Sequence, residues 1–406
     1  MSVIRPKAAR LRAGAALLGP AFVAAIAYVD PGNVATNTAA GARHGYLLVW
    51  VVVLANVMAG LVQYLSAKLG LVTGRSLPEA VRDRMPPPVR LAYWGQAEIM
   101  AMATDLAEVI GGAIALHLLF GLPMLLGGAI TGVVSTGLLL VQDRGGQRPF
   151  ERVVTCLLIV IAAGFTAGLL MSSPSAAGTV SGLVPRFDGA DSVLLAAGVF
   201  GATVMPHAVY LHSALARDRH GRAADRARLL SATRVDVVLA MVLAGAVNLA
   251  MLLLAASALR GVPGVDTLAG VHAAIGDVLG CGVALLFAMS LLASGFASTA
   301  VGCYAGAVVM DGLLRVKVPL LVRRLITLVP ALVVLAQGTD PTPALVLSQV
   351  ALSCGIPFAL VPLVWLTARR SVMGDAVNHP ATTAAAVVVA SFIVGLNAVL
   401  LYLTLR

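Results

Sequence analysis

The stretch GPAFVAAIAYVDPGNVATN, residues 19–37, interrupts a long apolar run with the sequence DPGN at 30–33. The interruption falls near the middle of a stretch long enough to cross a bilayer as a helix, which takes about 20 residues. Proline removes an amide donor and glycine permits an irregular turn, so carbonyls just upstream, such as that of Ala27, lose their usual partners. Free carbonyls beside a carboxylate predict a site for a cation.

A second interruption occurs in FGATVMPHAVYLHSAL, residues 200–215, where Pro206 would free the carbonyl of Ala202 in the same way. The interruptions lie in the first and sixth apolar stretches, which predicts two repeats of five helices with the second inverted. Each break could instead be a proline kink, which membrane helices tolerate. Asp30 argues against that alternative, because an ionised carboxylate at the bilayer centre costs on the order of 3 kcal/mol.

Composition places the whole chain in a membrane. Of 406 residues, 59% are hydrophobic and 11% charged, with a mean hydropathy of +0.95, which excludes an ordinary soluble protein. We therefore expect an all-α membrane protein with eleven transmembrane helices. The predicted cores are residues 13–41, 45–70, 89–119, 122–142, 150–173, 193–216, 233–258, 281–314, 323–338, 342–369 and 380–405.

These spans predict one transmembrane domain, residues 1–406, with a first five-helix repeat at 13–173, an inverted second repeat at 193–369 and an eleventh helix at 380–405. With the N-terminus in the cytoplasm and the C-terminus outside, 24 of the 28 basic residues fall on the cytoplasmic side. The net charge of +10 therefore reflects topology and not nucleic-acid binding. The strong preference for arginine over lysine indicates a prokaryotic source.

The groups expected at the breaks are the Asp30 carboxylate, the Asn33 amide oxygen, one or two carbonyls and the Met205 thioether. Hard oxygens alone would suit Mg²⁺ or Ca²⁺, whereas a soft sulfur favours Mn²⁺, Fe²⁺, Co²⁺ or Cd²⁺. Met205 could instead be a core methionine that fills a gap. Its place beside Pro206 in the second break favours the ligand hypothesis.

The third span, GQAEIMAMATDLAEVIGG at 95–112, carries Glu98, Asp105 and Glu108 within a stripe about 80° wide. Three acids on one helix face predict a path for protons between the site and the cytoplasm. The alternative is charge pairing with Arg323 and Arg324 at the start of the ninth span, and the two interpretations are compatible.

Other polar residues in the spans allow two interpretations. His207 is favoured as a proton or gating group, because the ordinary pKa of a histidine side chain lies near working pH, and His212 is favoured as a structural residue. Gln349 could complete the shell of a cation or bond neighbouring helices. Two asparagines are expected to join helices and two aspartates to be surface charges: Asn248, Asn397, Asp236 and Asp311.

Three motifs together resemble the Nramp family: DPGN at 30–33, ATVMPHAVYLHSA at 202–214 and ATDLAE at 103–108. The resemblance covers essentially the whole chain and implies the LeuT-type inverted-repeat fold. It implies a metal site made by Asp30, Asn33, Met205, the carbonyls of Ala27 and Ala202, and, when the outer gate closes, Gln349. It implies a proton pathway made by His207, Glu108, Asp105, Glu98, Arg323 and Arg324. A magnesium-transporting branch of the family departs at the motif methionine, which this sequence keeps.

The expected function is a proton-coupled secondary transporter that imports Mn²⁺ and Fe²⁺, and also Cd²⁺ and Co²⁺, through the plasma membrane by alternating access. The metal is cargo, no cofactor is expected, and a monomer should suffice. An enzyme or an ATP-driven pump is not expected, because neither HExxH nor GxxxxGK[ST] occurs. The rival is a sodium-coupled amino-acid or organic-cation transporter of the same architecture, which would not explain Met205.

Overall fold

The computed structural model describes residues 19–220, 226–338 and 341–404, and the regular secondary structure in these ranges is entirely helical. Predictions that concern residues 1–18, Arg222 and Arg406 lie outside these ranges. The described α-helices are α1 Pro20–Ile26, α2 Pro31–His44, α3 Val49–Thr73, α4 Leu77–Arg82, α5 Pro87–Phe120, α6 Met124–Gly145, α7 Gln147–Ser172, α8 Ala176–Ser181, α9 Gly189–Thr203, α10 Pro206–His220, α11 Arg226–Ala258, α12 Leu268–Leu279, α13 Cys281–Leu314, α14 Leu320–Ala336, α15 Thr342–Thr367, α16 Arg370–Met373 and α17 Pro380–Thr404.

Each of the eleven predicted spans coincides with helices in the described ranges, and the ends that lie in those ranges differ from the predicted ones by up to seven residues. The first span is the pair α1 and α2, and the sixth is the pair α9 and α10. The predicted core at 281–314 matches α13 at both ends. The expected all-α membrane fold with interrupted first and sixth helices is therefore confirmed, whereas the short helices α4, α8, α12 and α16 were not predicted.

Length and apolar composition alone give a smaller number of spans. Eight described helical stretches could each cross a membrane, and a ninth candidate is Ala351–Thr367 with Arg370–Ala376, bent by 78°. Two features explain the difference from eleven. A 3₁₀ turn, Gly45–Leu48, joins α2 to α3 in one helical stretch, and α14 has only 17 residues.

The helices pack around α5 and α13, which lie side by side through the centre of the bundle. Their close approach depends on glycine: a Cβ added at Gly295 would stand 2.8 Å from the backbone nitrogen of Gly112. The same face of α13 carries Gly302 and Gly306, seven and eleven residues further on. This glycine face leaves room for the polar side chains described below.

One end of the bundle carries Arg82, Arg148, Arg217 and Arg323 and is called the basic end below. Here α4 follows α3 after a turn and is fixed by a capping box between Ser76 and Glu79. The Glu79 carboxylate also pairs with Arg217 at the end of α10. Burial raises the pKa of the Glu79 carboxyl, but hydrogen bonds from Ser76 and the positive charge of Arg217 outweigh it and lower the pKa overall.

The opposite end is closed by ion pairs between different elements. Arg43, at the end of α2, lies 3.5 Å from the carboxylate of Asp191 in α9 and 2.9 Å from that of Asp266. His44 lies 3.0 Å from Asp191. These side chains are partly exposed, so each pair contributes little to stability, but together they link α2, α9 and the segment before α12.

Candidate functional site

The first break lies between Ile26, where α1 ends, and Pro31, where α2 begins. Asp30 caps α2, since its Oδ1 accepts a hydrogen bond of 2.8 Å from the backbone N–H of Asn33. The predicted turn at DPGN is thus slightly displaced: Pro31, Gly32 and Asn33 already form the first turn of α2, and the unwound residues are 27–30. Proline at the first position of a helix needs no N–H, which explains why α2 begins there.

The carbonyls of the unwound segment differ in their hydrogen-bond partners. The carbonyl of Tyr28 accepts from the Asn248 side chain over 2.9 Å, and that of Val29 accepts from the Ser294 hydroxyl over 2.6 Å. Pro31 has no N–H to give to the carbonyl of Ala27, four residues earlier. Two neighbours of Ala27 are therefore held by side chains, and the Ala27 carbonyl stays a candidate ligand.

The second break consists of Val204 and Met205, between the end of α9 at Thr203 and the start of α10 at Pro206. Since Pro206 cannot donate, the carbonyl of Ala202 lacks a helical partner. It accepts instead from the side-chain amide of Asn33 over 2.8 Å. The break occurs where the sequence predicts it, and its freed carbonyl faces the first break.

Asn33 joins the two breaks. Its amide nitrogen donates both to the Ala202 carbonyl and to Oδ1 of Asp30, the latter over 2.6 Å. Asn33 thereby lies within hydrogen-bond distance of two other predicted ligands, one of them 169 positions away along the chain. Met205 is fully buried in the same break, three residues after Ala202.

Two acceptor atoms at this junction lack a donor. Oδ2 of Asp30 and Oδ1 of Asn33 are buried and have no hydrogen-bond partner among the described residues. A buried polar atom without a partner costs about 1–3 kcal/mol, and more when it is charged. A cation between the breaks would satisfy both atoms, and one carboxylate, one amide, two carbonyls and a thioether would surround it. Among the described residues no group of three His, Cys, Asp or Glu side chains could hold a metal ion.

Gln349 of α15 packs against the first turn of α2. Its side chain is 6% exposed, and a Cβ added at Gly32 would stand 2.2 Å from its Nε2. Both polar atoms of its amide lack a hydrogen-bond partner among the described residues. The amide therefore lies beside the ligand cluster with its bonding capacity unused, as a residue that completes a coordination shell requires.

The three acids of the third span point towards α13 and α14 with different partners. Glu108 is fully buried, and a Cβ added at Gly302 would stand 2.9 Å from its carboxylate. Neither of its carboxylate oxygens has a hydrogen-bond partner among the described residues. Asp105 forms a buried ion pair with Arg324, and Glu98 lies 2.9 Å from Arg323.

These pairings agree with the charge-pairing alternative for the third span and leave the relay possible. Arg323 and Arg324 are 2% and 1% exposed, and a Cβ at Gly306 would stand 2.1 Å from the guanidinium of Arg323. The acids run along α5 from the ligand cluster towards the basic end. Only Glu108, nearest the cluster, is without a basic partner within salt-bridge distance in the described chain.

The two histidines of α10 have separate surroundings. His207 lies 3.4 Å from the Thr104 hydroxyl and lines a small cavity with Met100, Pro206, Tyr210 and Gly355. This cavity lies between α5, α10 and α15, next to the second break. The position is compatible with a proton or gating group.

His212 is buried and bonds through Nδ1 to Gln63 over 2.7 Å. Gln63 in turn donates to the hydroxyl of Tyr28 over 2.5 Å. The predicted structural role of His212 agrees with this contact, which connects α10, α3 and the unwound segment. No pattern in the sequence distinguishes Gln63 or Ser294 as partners of the break.

The predictions for other polar residues had mixed outcomes. Asn397 joins helices as expected, since it donates to the carbonyl of Ser353 over 2.6 Å. The prediction that Asp236 is a surface charge is wrong. Its side chain is 2% exposed and accepts from the backbone N–H groups of Gly19 and Ala21, each over 3.0 Å. The reason is physical: α1 begins at a glycine that has no capping side chain, and a carboxylate from α11 takes that role.

A helical membrane bundle whose first and sixth helices are broken, with polar groups gathered where the breaks meet, defines the secondary transporters of the LeuT-like class. More specifically, the chain belongs to the Nramp family, since the family model described as "Natural resistance-associated macrophage protein-like" matches residues 21–403.

Similar proteins support this assignment along almost the whole length. A divalent metal cation transporter MntH from Mycobacterium tuberculosis is 64% identical over 391 residues, covering 96% of this chain and 91% of the relative. One from Mycobacterium leprae is 60% identical, covering 98% and 94%. The crystal structure of a manganese transporter from Eremococcus coleocola has a TM-score of 0.87 at 32% identity, covering 97% and 87%. A nucleobase–cation symport-1 transporter, with a TM-score of 0.60 at 16% identity, covers 95% and 89% and shares the fold.

Proposed function

We propose that this protein imports divalent transition-metal ions, Mn²⁺ and Fe²⁺ first and also Cd²⁺ and Co²⁺, together with protons and by alternating access. The observation that carries the proposal is the pair of unsatisfied acceptors, Oδ2 of Asp30 and Oδ1 of Asn33, buried where two broken helices meet. The names of the relatives, which are divalent metal cation and manganese transporters, point in the same direction.

The donor set supports a transition metal as cargo. The single carboxylate of Asp30 and the neutral oxygens of Asn33, Ala27 and Ala202 would bind any divalent cation weakly. The Met205 thioether adds a soft ligand, which Mn²⁺, Fe²⁺, Co²⁺ and Cd²⁺ accept and Ca²⁺ and Mg²⁺ do not. Met205 is thereby the residue that selects the cargo, and Gln349 completes the shell when the opposite end is closed.

The membrane potential sets the direction of transport. The distribution of basic residues supports a plasma-membrane protein with the basic end and the N-terminus in the cytoplasm and the C-terminus outside. Moving one charge through 100 mV is worth about 2.3 kcal/mol, so a divalent ion gains about 4.6 kcal/mol on entry. A proton gradient adds about 1.4 kcal/mol per pH unit, so protons are the smaller driving force.

The proton would leave the site along α5. Glu108 is close to the ligand cluster and, among the described residues, lies within salt-bridge distance of no basic side chain, so it is the group best able to take a proton when the metal binds. Asp105 with Arg324 and Glu98 with Arg323 continue the line towards the basic end. His207 reaches the same region from α10 and serves as a gating or proton group.

Burial of the ligand cluster supports alternating access. Asp30, Asn33, Met205 and Gln349 are each at most 6% exposed, so neither end of the bundle gives a cation free passage. Opening one end at a time would require α1 or α2 to move relative to α11 and α9. The complete ligand set comes from one chain, which supports function as a monomer.

The test is uptake of Mn²⁺ into proteoliposomes at a negative internal potential, with Ca²⁺ and Mg²⁺ as competitors. Met205→Ala should lose the discrimination against Ca²⁺, because the soft ligand is gone. The matched control is Met58→Ala, which truncates a methionine that is 4% exposed in α3. Both variants carry the stability cost of a truncated core methionine, about 2–5 kcal/mol, so only selectivity separates them.

Equal discrimination by wild type and Met205→Ala would contradict the proposed metal site. Absence of transition-metal uptake by the wild type, with uptake of an amino acid or organic cation instead, would overturn the proposed function and favour the rival of the same architecture.

A further inference from the structure

A shallow cleft opens at the basic end between the start of α7 and the end of α10. The side chains that line it are Gln147, Arg148, Arg152, Asp218 and Arg219. The acid among them is already engaged, because Arg217 donates to the Asp218 carboxylate over 2.6 and 3.1 Å. Arg219 lies 3.2 Å from the buried carboxylate of Glu151.

Arg148 and Arg152 are different from their neighbours. Both are exposed, and neither forms a hydrogen bond or an ion pair with the residues that the structure describes. They are four residues apart on α7, so both guanidinium groups lie on one helix face. The nearby Glu151 carboxylate interacts electrostatically with Arg148, but it is already paired with Arg219, so the cleft keeps an excess of positive charge.

The same face of α7 continues as an apolar stripe. Cys156, Ile159, Val160 and Leu170 follow at helical spacing and are exposed, with Ile159 at 56% and Leu170 at 76%. In a membrane-spanning helix such a face contacts lipid acyl chains. Charge and stripe together form one continuous surface, with the positive charges at the end where headgroups lie.

We propose that this surface binds an anionic phospholipid in the leaflet at the basic end, with its phosphate between Arg148 and Arg152 and an acyl chain along the α7 stripe. Guanidinium groups match phosphate oxygens in geometry and charge, and basic pockets beside membrane helices take anionic headgroups. A free phosphate would use the arginines but not the stripe, so the lipid accounts for both observations.

The first experiment uses the native cysteines as reporters. Cys156 lies about 6 Å along the helix from Arg152, and Cys281 is exposed at the opposite end of the bundle. Two full-length chains, Cys281→Ser labelled at Cys156 and Cys156→Ser labelled at Cys281, would carry an environment-sensitive fluorophore. We expect nitroxide-bearing phosphatidylglycerol to quench the Cys156 label more than nitroxide-bearing phosphatidylcholine does, with no preference at Cys281.

The second experiment removes the charges. One cation near an anionic surface strengthens binding about fivefold, so Arg148→Gln with Arg152→Gln should weaken phosphatidylglycerol binding at the Cys156 label by on the order of 30-fold. The control is Lys317→Gln with Arg370→Gln, which removes two exposed cations elsewhere on the basic end and should leave quenching unchanged.

Three results would overturn the proposal. The first is equal quenching at Cys156 by the two lipids, the second is equal loss of preference in the test and control double variants, and the third concerns free phosphate. Inorganic phosphate at millimolar concentration should not displace the lipid, and displacement would assign the cleft to free phosphate instead. None of these readouts requires transport, so failure here leaves the proposed metal import untouched.

Discussion

Removal of the Asp236 carboxylate should loosen α1 selectively. Both oxygens of this buried side chain accept backbone N–H groups at the start of α1, from Gly19 and Ala21 at 3.0 Å each. Hydrogen bonds to a charged group contribute about 1.5–3 kcal/mol each, so Asp236→Ala should cost at least about 3 kcal/mol of the energy that holds α1 in place. Every 1.4 kcal/mol is about tenfold, which makes local opening of α1 on the order of 100-fold more frequent.

Hydrogen exchange measures this opening directly, because protection of an amide reports the free energy of the opening that exposes it. We expect the amides of residues 22–26 to lose protection by on the order of 100-fold in Asp236→Ala. Asp236→Asn retains one acceptor oxygen and should give an intermediate loss. The matched control is Asp311→Ala, which removes a carboxylate that makes no such contact at the end of α13 and should leave α1 unchanged.

Unchanged exchange in α1 for Asp236→Ala would refute the reasoning. It would mean that other groups, such as the Glu151 carboxylate beside Gly19, hold α1 without the cap. Loss of protection throughout the bundle would instead indicate general destabilisation, and comparison with Asp311→Ala separates the two results.

Two further predictions follow from other contacts. Gly32→Ala should lower Mn²⁺ uptake, since its Cβ would meet the Gln349 amide at 2.2 Å. The double variant Gly32→Ala with Gln349→Ala should transport no worse than Gln349→Ala alone, because the clash is then absent. Additive losses in the double variant would contradict the contact. Glu79, whose pKa is lowered in the folded chain, should stabilise above its ordinary titration range and lose that contribution as pH falls through the lowered pKa. Thermal unfolding of wild type and Glu79→Gln should therefore differ at pH 7 and converge in acid, and a difference that persists in acid would contradict the assignment.

The breaks were predictable because their cause is local. Pro31 and Pro206 lack an N–H wherever the chain places them, so the loss of helical bonds at Ala27 and Ala202 can be read from the sequence. Even so, the unwound residues lie at 27–30 and not at 30–33, because proline prefers the first turn of the new helix.

The partners of the breaks could not be predicted, because they come from distant helices. Asn248 was expected to join helices and does so, but its partner, like that of Ser294, is a carbonyl more than two hundred positions away, which nothing near either residue in the sequence indicates. Asp236 was mistaken for a surface charge for the same reason. Arg234 lies close to it and the predicted span began at residue 233, so it was placed near a helix end, whereas its actual partner is the uncapped start of another helix.

The third span was predicted more completely, since its three acids, and also the two arginines near them, stood out as charges in apolar sequence. Charge pairing with Arg323 and Arg324 was the alternative that the sequence offered, and the structure pairs Glu98 with Arg323 and Asp105 with Arg324. What sequence could not decide is which acid is left unpaired. That depends on how far α14 reaches along α5, and the structure assigns the position to Glu108.

The glycine face of α13 separates two properties of the proposed proton route. The charged groups are the Glu108 carboxylate on α5 and the Arg323 guanidinium on α14. The space that these groups occupy is set by Gly302 and Gly306, which have no side chains. A substitution of similar size on α5 or α14 would thus change the charge of these buried groups and keep their packing, whereas one on the glycine face would change the packing first. In evolutionary terms the two traits lie on different helices and can be selected independently.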